Sequence, residues 1–351
     1  MAQLSTLSSI LSHWYRQQLT AAEIEQLIKT ELADKHRCKA FRIDRANCQE
    51  KLEARSQLFK LVATPVVQWC KSQGFERQED ILLMLWRLWL PLAMQLDATR
   101  NKLGRTSIEG ILGGQGTGKS TLASILKLIL NQLGHSVAIL SIDDLYLTYA
   151  ERQQLQQQDP RLIWRGPPGT HDVNLGLQVI ERCLSANTSE PILLPRFDKS
   201  AFEGAGDRTT PEAIEKIDIL LFEGWFVGVQ PIDDRVFENP LEPITTSEDC
   251  QFARDNNRRL KAYLPLWEKL DSLIVLNPVD YRLSQQWRKE AEQKMKQQGK
   301  TGMSDAEIDR FVEYFWQALH PELFIAPLIN NRNLVNLVIE IERDRSIGKI
   351  Y

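Results

Sequence analysis

The chain has 351 residues, 43% of them hydrophobic and 25% charged, and a net charge of −3 at neutral pH. That composition is ordinary for a soluble globular protein, and the charge gives no reason to expect nucleic acid or an anionic membrane surface as a partner. Five cysteines (Cys38, Cys48, Cys70, Cys183, Cys250) stand far apart with no C-x-x-C pair, which excludes a zinc framework of that pattern and points to reduced thiols in a reducing compartment.

The N-terminus, Met1 to Leu7, lacks the basic segment and apolar core of a secretory signal. Its serines hint at a transit peptide, but Glu23 and Glu25 follow soon and the intervening stretch reads as folded helix, so a cytoplasmic location is expected. Residues 1–102 read as a helical region: Ala21 to Ile28 and Val66 to Trp69 show helical spacing of apolar positions, and Thr64-Pro65 reads as a helix start. The apolar run Ile81 to Leu96 is broken by Arg87 and Pro91 and is too short for a membrane span, so a buried helix carrying Trp86 and Trp89 is expected. No catalytic constellation stands here, and the region is expected to cap the domain that follows.

From residue 103 the pattern turns to strands alternating with helices, the mark of a parallel α/β sheet. Five buried strands are predicted: 107–112, 137–142, 216–222, 273–276 and 334–339. Between the first strand and the helix after it lies Gly113-Gly114-Gln115-Gly116-Thr117-Gly118-Lys119-Ser120, then Thr121. This fits G-x-x-x-x-G-K-[ST], the phosphate-binding P-loop. Its glycines let successive N–H groups point at phosphate oxygens, Lys119 can reach the β- and γ-phosphates, and the Ser120 hydroxyl can ligate Mg2+. The fold class expected is therefore α/β, a P-loop NTPase/kinase domain over 103–351 with a five-stranded parallel sheet, preceded by the helical region.

In such sheets ligands sit beyond the carboxyl ends of the strands. The second strand ends in Asp143-Asp144-Leu145-Tyr146, where a carboxylate can accept the proton of an attacking hydroxyl. The third ends in Glu223-Gly224-Trp225, the place of a magnesium-holding carboxylate. The fourth ends in Asn277-Pro278-Val279-Asp280, similar to the guanine-reading N-K-x-D pattern, but Pro278 replaces the Lys and removes a backbone donor, which argues against a GTPase switch. Two loops, Arg165 to Asp172 and Pro195 to Arg208, carry arginines in Gly/Pro settings suited to a small anionic substrate. The stretch 281–303 reads as a lid, with Arg282 and Arg288 able to add positive charge in the transition state, and with Gly299 and Gly302 as hinge positions.

The P-loop, Asp143-Asp144-Leu145-Tyr146, the R-G-x-P-G-T-H-D run ending at His171-Asp172, the Arg196-Phe197-Asp198-Lys199-Ser200 to Asp207-Arg208 run, Phe222-Glu223-Gly224-Trp225-Phe226 and Asn257 to Trp267 together resemble the P-loop D-glycerate 3-kinases. These belong to the phosphoribulokinase, uridine kinase and pantothenate kinase group. The resemblance implies transfer of the ATP γ-phosphoryl group to the 3-hydroxyl of D-glycerate, a photorespiratory salvage step. It implies ATP and Mg2+ as cofactors, Asp143 as base, Lys119 as phosphate contact, and Ser120 and Glu223 at the metal. Asp144, Tyr146, Arg165, His171, Arg196 and Lys199 are the expected acceptor contacts. A kinase of another small alcohol and a non-catalytic ATP-binding regulatory protein stay open as alternatives, as does the oligomeric state.

Overall fold

A computed structural model describes residues 2–185, 190–297 and 302–351 of the chain. Two compact units divide it: residues 1–105 with 120–137 and 347–351, and residues 106–119 with 138–346. The helix that follows the P-loop, Lys119–Gln132, thus groups from Ser120 onward with the N-terminal helices.

The first unit is built on long helices. Helix Ala21–Ala33 starts at Thr20, whose hydroxyl accepts the Glu23 N–H while the Glu23 carboxylate accepts the Thr20 N–H at 2.8 Å, so two orphan donors are satisfied reciprocally. Helix Cys48–Ser72 contains Pro65 in its interior, where the sequence suggested a start. Burial of Val62, Ala63, Val66 and Val67 along one face carries the helix through the missing donor. The apolar run expected to be short belongs to a 26-residue helix, Gln78–Leu103, with a π-helical turn at Leu85–Trp89. By length and composition it could cross a membrane, but 61% of its apolar window is buried inside the structure. Trp86 meets Trp14 and Phe59 edge-on, at 5.4 and 6.0 Å between ring centroids, so this is a core helix. Beneath it lies a buried ionic group: Glu31 accepts from Arg37 and, at 3.0 Å on each oxygen, from Arg55. Burial alone would raise the Glu31 carboxyl, and the two guanidiniums outweigh it and hold it low.

The second unit holds β1 (Ser107–Gly113), β2 (Val137–Ser141, entered at the unit boundary), β3 (Ile192–Asp198), β4 (Asp207–Ile214), β5 (Ile219–Gly224), β6 (Ser272–Pro278) and β7 (Leu337–Ile341). The sheet runs β2-β5-β1-β6-β7 through this unit. β1 is parallel to β5, with Ile111 opposite Glu223, and to β6, with Gly113 opposite Leu276; β6 is parallel to β7. Every residue of β1 and β5 is buried, including the polar Ser107, Glu109 and Glu223, as a central parallel sheet covered on both faces requires. β1 is followed by β2 two places away, with β5 between them, so the chain leaves a crevice at this switch point. The last strand, β8 (Ile347–Ile350), was not anticipated and counts with the first unit, in a sheet of six strands rather than five.

Two other differences concern the site. The stretch read as a loop, Pro195 to Arg208, is largely a two-stranded antiparallel hairpin, β3 with β4, with a bulge between Leu194 and Arg196. β4 is mostly exposed and polar, and each strand carries a proline (Pro195, Pro211), so both read as loop although Ile192 and Leu194 of β3 are buried. Glu223 and Asn277-Pro278 lie within β5 and β6, one to two residues earlier in the ladder than a strand-end reading places them.

Candidate active site

The P-loop geometry follows from its glycines. Gly116 and Gly118 adopt φ of +77° and +87°, a region that side-chain-bearing residues rarely occupy. A Cβ on Gly116 would lie 2.6 Å from the Trp287 Cβ, because the buried Trp287 packs directly on the loop. Trp287 is itself pinned by an indole N–H donated to the Arg343 carbonyl at 3.1 Å. Thr117 closes the curl by donating its hydroxyl to the Gly114 carbonyl at 2.8 Å. The helix begins at Lys119 directly afterwards, so its free N–H groups and positive dipole end adjoin the loop. Gly113, Gln115, Ser120 and Thr121 complete the stretch.

The two aspartates at the end of β2 have different jobs. Asp144 closes a capping box with Ser141, accepting its N–H at 3.0 Å, and takes Arg196 at 3.0 Å. Burial pushes its carboxyl up, against those two bonds. Asp143 instead points its oxygens at two functional partners: the Tyr146 hydroxyl donates to Oδ1 at 2.8 Å, and the Lys199 ammonium donates to Oδ2 at 2.6 Å. Burial alone would raise Asp143, but Lys199, then Lys119 and Tyr146, outweigh it and hold the carboxylate below its ordinary range. Lys119 and Asp143 therefore share one electrostatic neighbourhood, which joins the phosphate loop to the expected base.

Tyr146 is buried and stacks on His171 at 4.6 Å. His171 is 6% exposed, and burial pushes its imidazole down to about 3, so it stays neutral. Its Nδ1 lies 2.9 Å from the Tyr263 hydroxyl, which also accepts the Gly169 N–H at 2.8 Å. The Tyr263–Nδ1 hydrogen bond fixes the orientation of the buried imidazole ring. Tyr263 sits in the Asn257 to Trp267 run, which no spacing rule marks as part of a site.

The arginines are engaged in scaffolding. Arg165 donates Nη1 to the Gly204 and Ala205 carbonyls at 2.7 and 2.9 Å and lies over the Phe197 ring. Arg152 holds the Ala205 carbonyl at 2.7 Å, and Arg208 bridges the Tyr146 carbonyl and Asp172, both at 2.9 Å. Arg196 divides itself between Asp144 and Glu212. Together they lock the tip of the β3–β4 hairpin against the Asp143 turn; Arg152 and Arg208 were not singled out for this by sequence pattern. Of the cations expected to meet the acceptor, Lys199 is the exposed one, with 61% of its side chain accessible.

Glu223 is 5% exposed in β5, followed by Gly224, where a Cβ would lie 2.5 Å from the Ile142 side chain. Trp225 donates its indole N–H to the Gly166 carbonyl at 3.3 Å. Beside Gly114 and Gln115 opens a cavity of about 400 Å³ walled by Trp225, Tyr281, Phe315 and Trp316 among others. In the lid stretch, helix Leu283–Gln297 forms as expected. Residues 298–301, including Gly299, lie outside the described residues. Arg288 pairs with Glu292 at 3.2 Å and lies over Phe311, and Arg282 pairs with Asp280 at 3.4 Å. Trp287, beside Arg288 in the chain, packs on the P-loop at Gly116.

A parallel sheet with a glycine loop, a lysine at the head of the following helix and a carboxylate within that lysine's electrostatic reach defines a nucleotide-dependent phosphotransferase of the P-loop kinase class. A family model described as methylmalonyl Co-A mutase-associated GTPase MeaB matches residues 92–146, which cover the P-loop and the Asp pair. The relatives that match over longer stretches include kinases. The uncharacterized kinase mug58 of Schizosaccharomyces pombe is 36% identical over 224 residues, covering 60% of this chain and 79% of that protein. The chloroplastic D-glycerate 3-kinase of Arabidopsis thaliana is 33% identical over 254 residues, 68% of this chain and 53% of that protein, so the chain spans about half the plant enzyme. A solved D-glycerate 3-kinase from Cryptococcus neoformans var. grubii superposes with a TM-score of 0.65 at 26% identity, over 74% of this chain and 96% of that one. The chain belongs to this family of P-loop kinases, and it is a kinase.

Proposed function

We propose that the protein transfers the γ-phosphoryl group of ATP to the 3-hydroxyl of D-glycerate. The observation that carries this reading is the Asp143 carboxylate, which takes the exposed Lys199 ammonium at 2.6 Å and lies within electrostatic reach of the P-loop Lys119. A small hydroxy acid supplies the matching groups, a hydroxyl for Asp143 and a carboxylate for Lys199. In the transfer, the bond from the acceptor oxygen to the γ-phosphorus forms as the bond to the β–γ bridging oxygen breaks. The hydroxyl proton passes to Asp143 and ADP departs. Phosphoryl transfer of this kind is mainly positioning and charge stabilisation, so a weakly basic carboxylate suffices.

Mg2+ favours hard oxygen ligands and keeps substrate phosphates in its shell; the Ser120 hydroxyl and the Glu223 carboxylate are donors of that kind and are the residues that would hold it. Bound there, it would neutralise charge on the phosphates. The neutral His171 and its partner Tyr146 serve the acceptor side by holding Asp143 in place. The name of the plant relative supports D-glycerate as the acceptor; a photorespiratory role and a cytoplasmic setting belong to the proposal, the latter on the scattered cysteines. ADP release with ATP, Mg2+ and a panel of small alcohols tests the reading: release should depend on D-glycerate, and product analysis should show the 3-phosphate. Release that depends on a different alcohol, or on none, would overturn it.

A further inference from the structure

The side chains around Asp143 differ in their freedom to move. Tyr146, on Oδ1, is 4% exposed and clamped between His171 and Phe197, at ring-centroid distances of 4.6 and 5.0 Å. Lys199, on Oδ2, stands just past the end of β3 with most of its side chain in solvent. Arg165 is committed to hairpin carbonyls, and Arg196 to Asp144 and Glu212. Among the described residues, the cation hydrogen-bonded to this carboxylate is Lys199, and most of its side chain is free to move in solvent. A carboxylate carrying an ammonium at 2.6 Å is also a poorer proton acceptor than a bare one.

We propose that Lys199 is a specificity-determining cap on Asp143, drawn away by the carboxylate of the acceptor so that the base is freed only when an anionic hydroxy acid is bound. The acceptor's negative charge then does two things at once: it anchors the substrate on Lys199 and it uncovers Asp143 for the hydroxyl. A neutral alcohol of similar size, such as glycerol, gives Lys199 no alternative partner and meets a capped base. Water meets the same cap, which suppresses unproductive ATP hydrolysis. This inference rests on the hydroxy-acid reading for its substrate half, and on geometry alone for its effect on water.

Lys199→Met keeps the length of the stem and removes the charge, and the exposure of the side chain makes folding insensitive to it. Three rates decide the matter: ATP hydrolysis without acceptor, and kcat and KM with D-glycerate and with glycerol. Freed from an ion pair that depresses carboxylate pKa by about one to three units, Asp143 should speed acceptor-free hydrolysis roughly three- to thirty-fold. KM for D-glycerate should rise about tenfold or more through loss of the charged contact, while kcat/KM for glycerol rises. Lys199→Arg, which restores a cation, should return hydrolysis to the low wild-type rate. Unchanged or lower acceptor-free hydrolysis in Lys199→Met overturns the cap, as does an equal fall with both acceptors. If wild-type protein ignores D-glycerate but Lys199→Met still releases hydrolysis, the cap stands and the glycerate reading fails.

Discussion

Replacing Asp143 with asparagine removes a proton acceptor while leaving the local bonding intact, and the geometry shows why. The amide oxygen of Asn can face Lys199, and its NH2 group can face the Tyr146 hydroxyl, which turns from donor to acceptor. Neither neighbour is left against a matching donor. The lost ion pair involves side chains 27% and 61% exposed, so solvent screening limits its contribution to stability to below about 1 kcal/mol. The chemical loss is larger. A positioned general base contributes roughly 10²- to 10⁴-fold, or about 3–5 kcal/mol of transition-state stabilisation. Asp143→Asn should therefore melt within a few degrees of wild type, bind ATP with unchanged affinity by titration calorimetry, and lose at least about a hundredfold in acceptor-dependent ADP release. Turnover within about threefold of wild type would refute the assignment, since the proton would then go elsewhere or need no base at all.

Gly116→Ala should abolish nucleotide binding, because the new Cβ would sit 2.6 Å from the Trp287 Cβ in a left-handed backbone conformation; calorimetry showing wild-type ATP affinity would contradict it. His171 is neutral in the folded protein down to about pH 3, whereas an unfolded histidine takes up a proton below about pH 6.5. The unfolded state thus binds more protons across this window, so stability is lost as pH falls from about 6.5, at up to about 1.4 kcal/mol per pH unit from this group. Urea melts at pH 7, 6 and 5 should show a slope smaller by one proton in His171→Gln, and identical slopes would remove His171 from the account. Arg55→Met strips Glu31 of its doubly bonded partner, leaving a buried carboxylate with Arg37 alone; a loss of about 3–5 kcal/mol in denaturant stability is expected, and a loss below about 1 kcal/mol would mean that the charge is solvated.

The donor half of the site was legible because its chemistry is local. Gly113 to Ser120 needs a fixed spacing of glycines, lysine and hydroxyl along one chain segment, and the buried parallel strands read as short, mostly apolar runs. The acceptor half is assembled from four separated segments, around residues 143–146, 165–172, 196–208 and 263. There the residue types were visible, but their division of labour was not. Arg165 and Arg196 look like carboxylate clamps in sequence, and they spend their hydrogen bonds on hairpin carbonyls and on Asp144 and Glu212. Tyr263, known from the sequence only as part of a family-like run, and Trp287, in the lid stretch, have no role marked there, yet one orients His171 and the other supports Gly116. The β3–β4 hairpin is hidden in the sequence because Pro195 and Pro211 interrupt its strands and β4 is mostly exposed and polar; cross-strand bonds and the arginines at its tip hold it.

The sequence by itself determined that a phosphate-binding loop joins a buried strand to a helix, and that carboxylates follow the next strands, because strand order and loop spacing are properties of a single stretch of chain. Only the tertiary structure decided which aspartate faces Lys119 and which caps the turn, and which cation remains free to meet a substrate. Those outcomes depend on hydrogen-bond partners more than fifty residues away, Lys199 for Asp143 and Arg196 for Asp144. No periodicity along the chain encodes such a choice; it is settled by competition for partners once the segments are packed together.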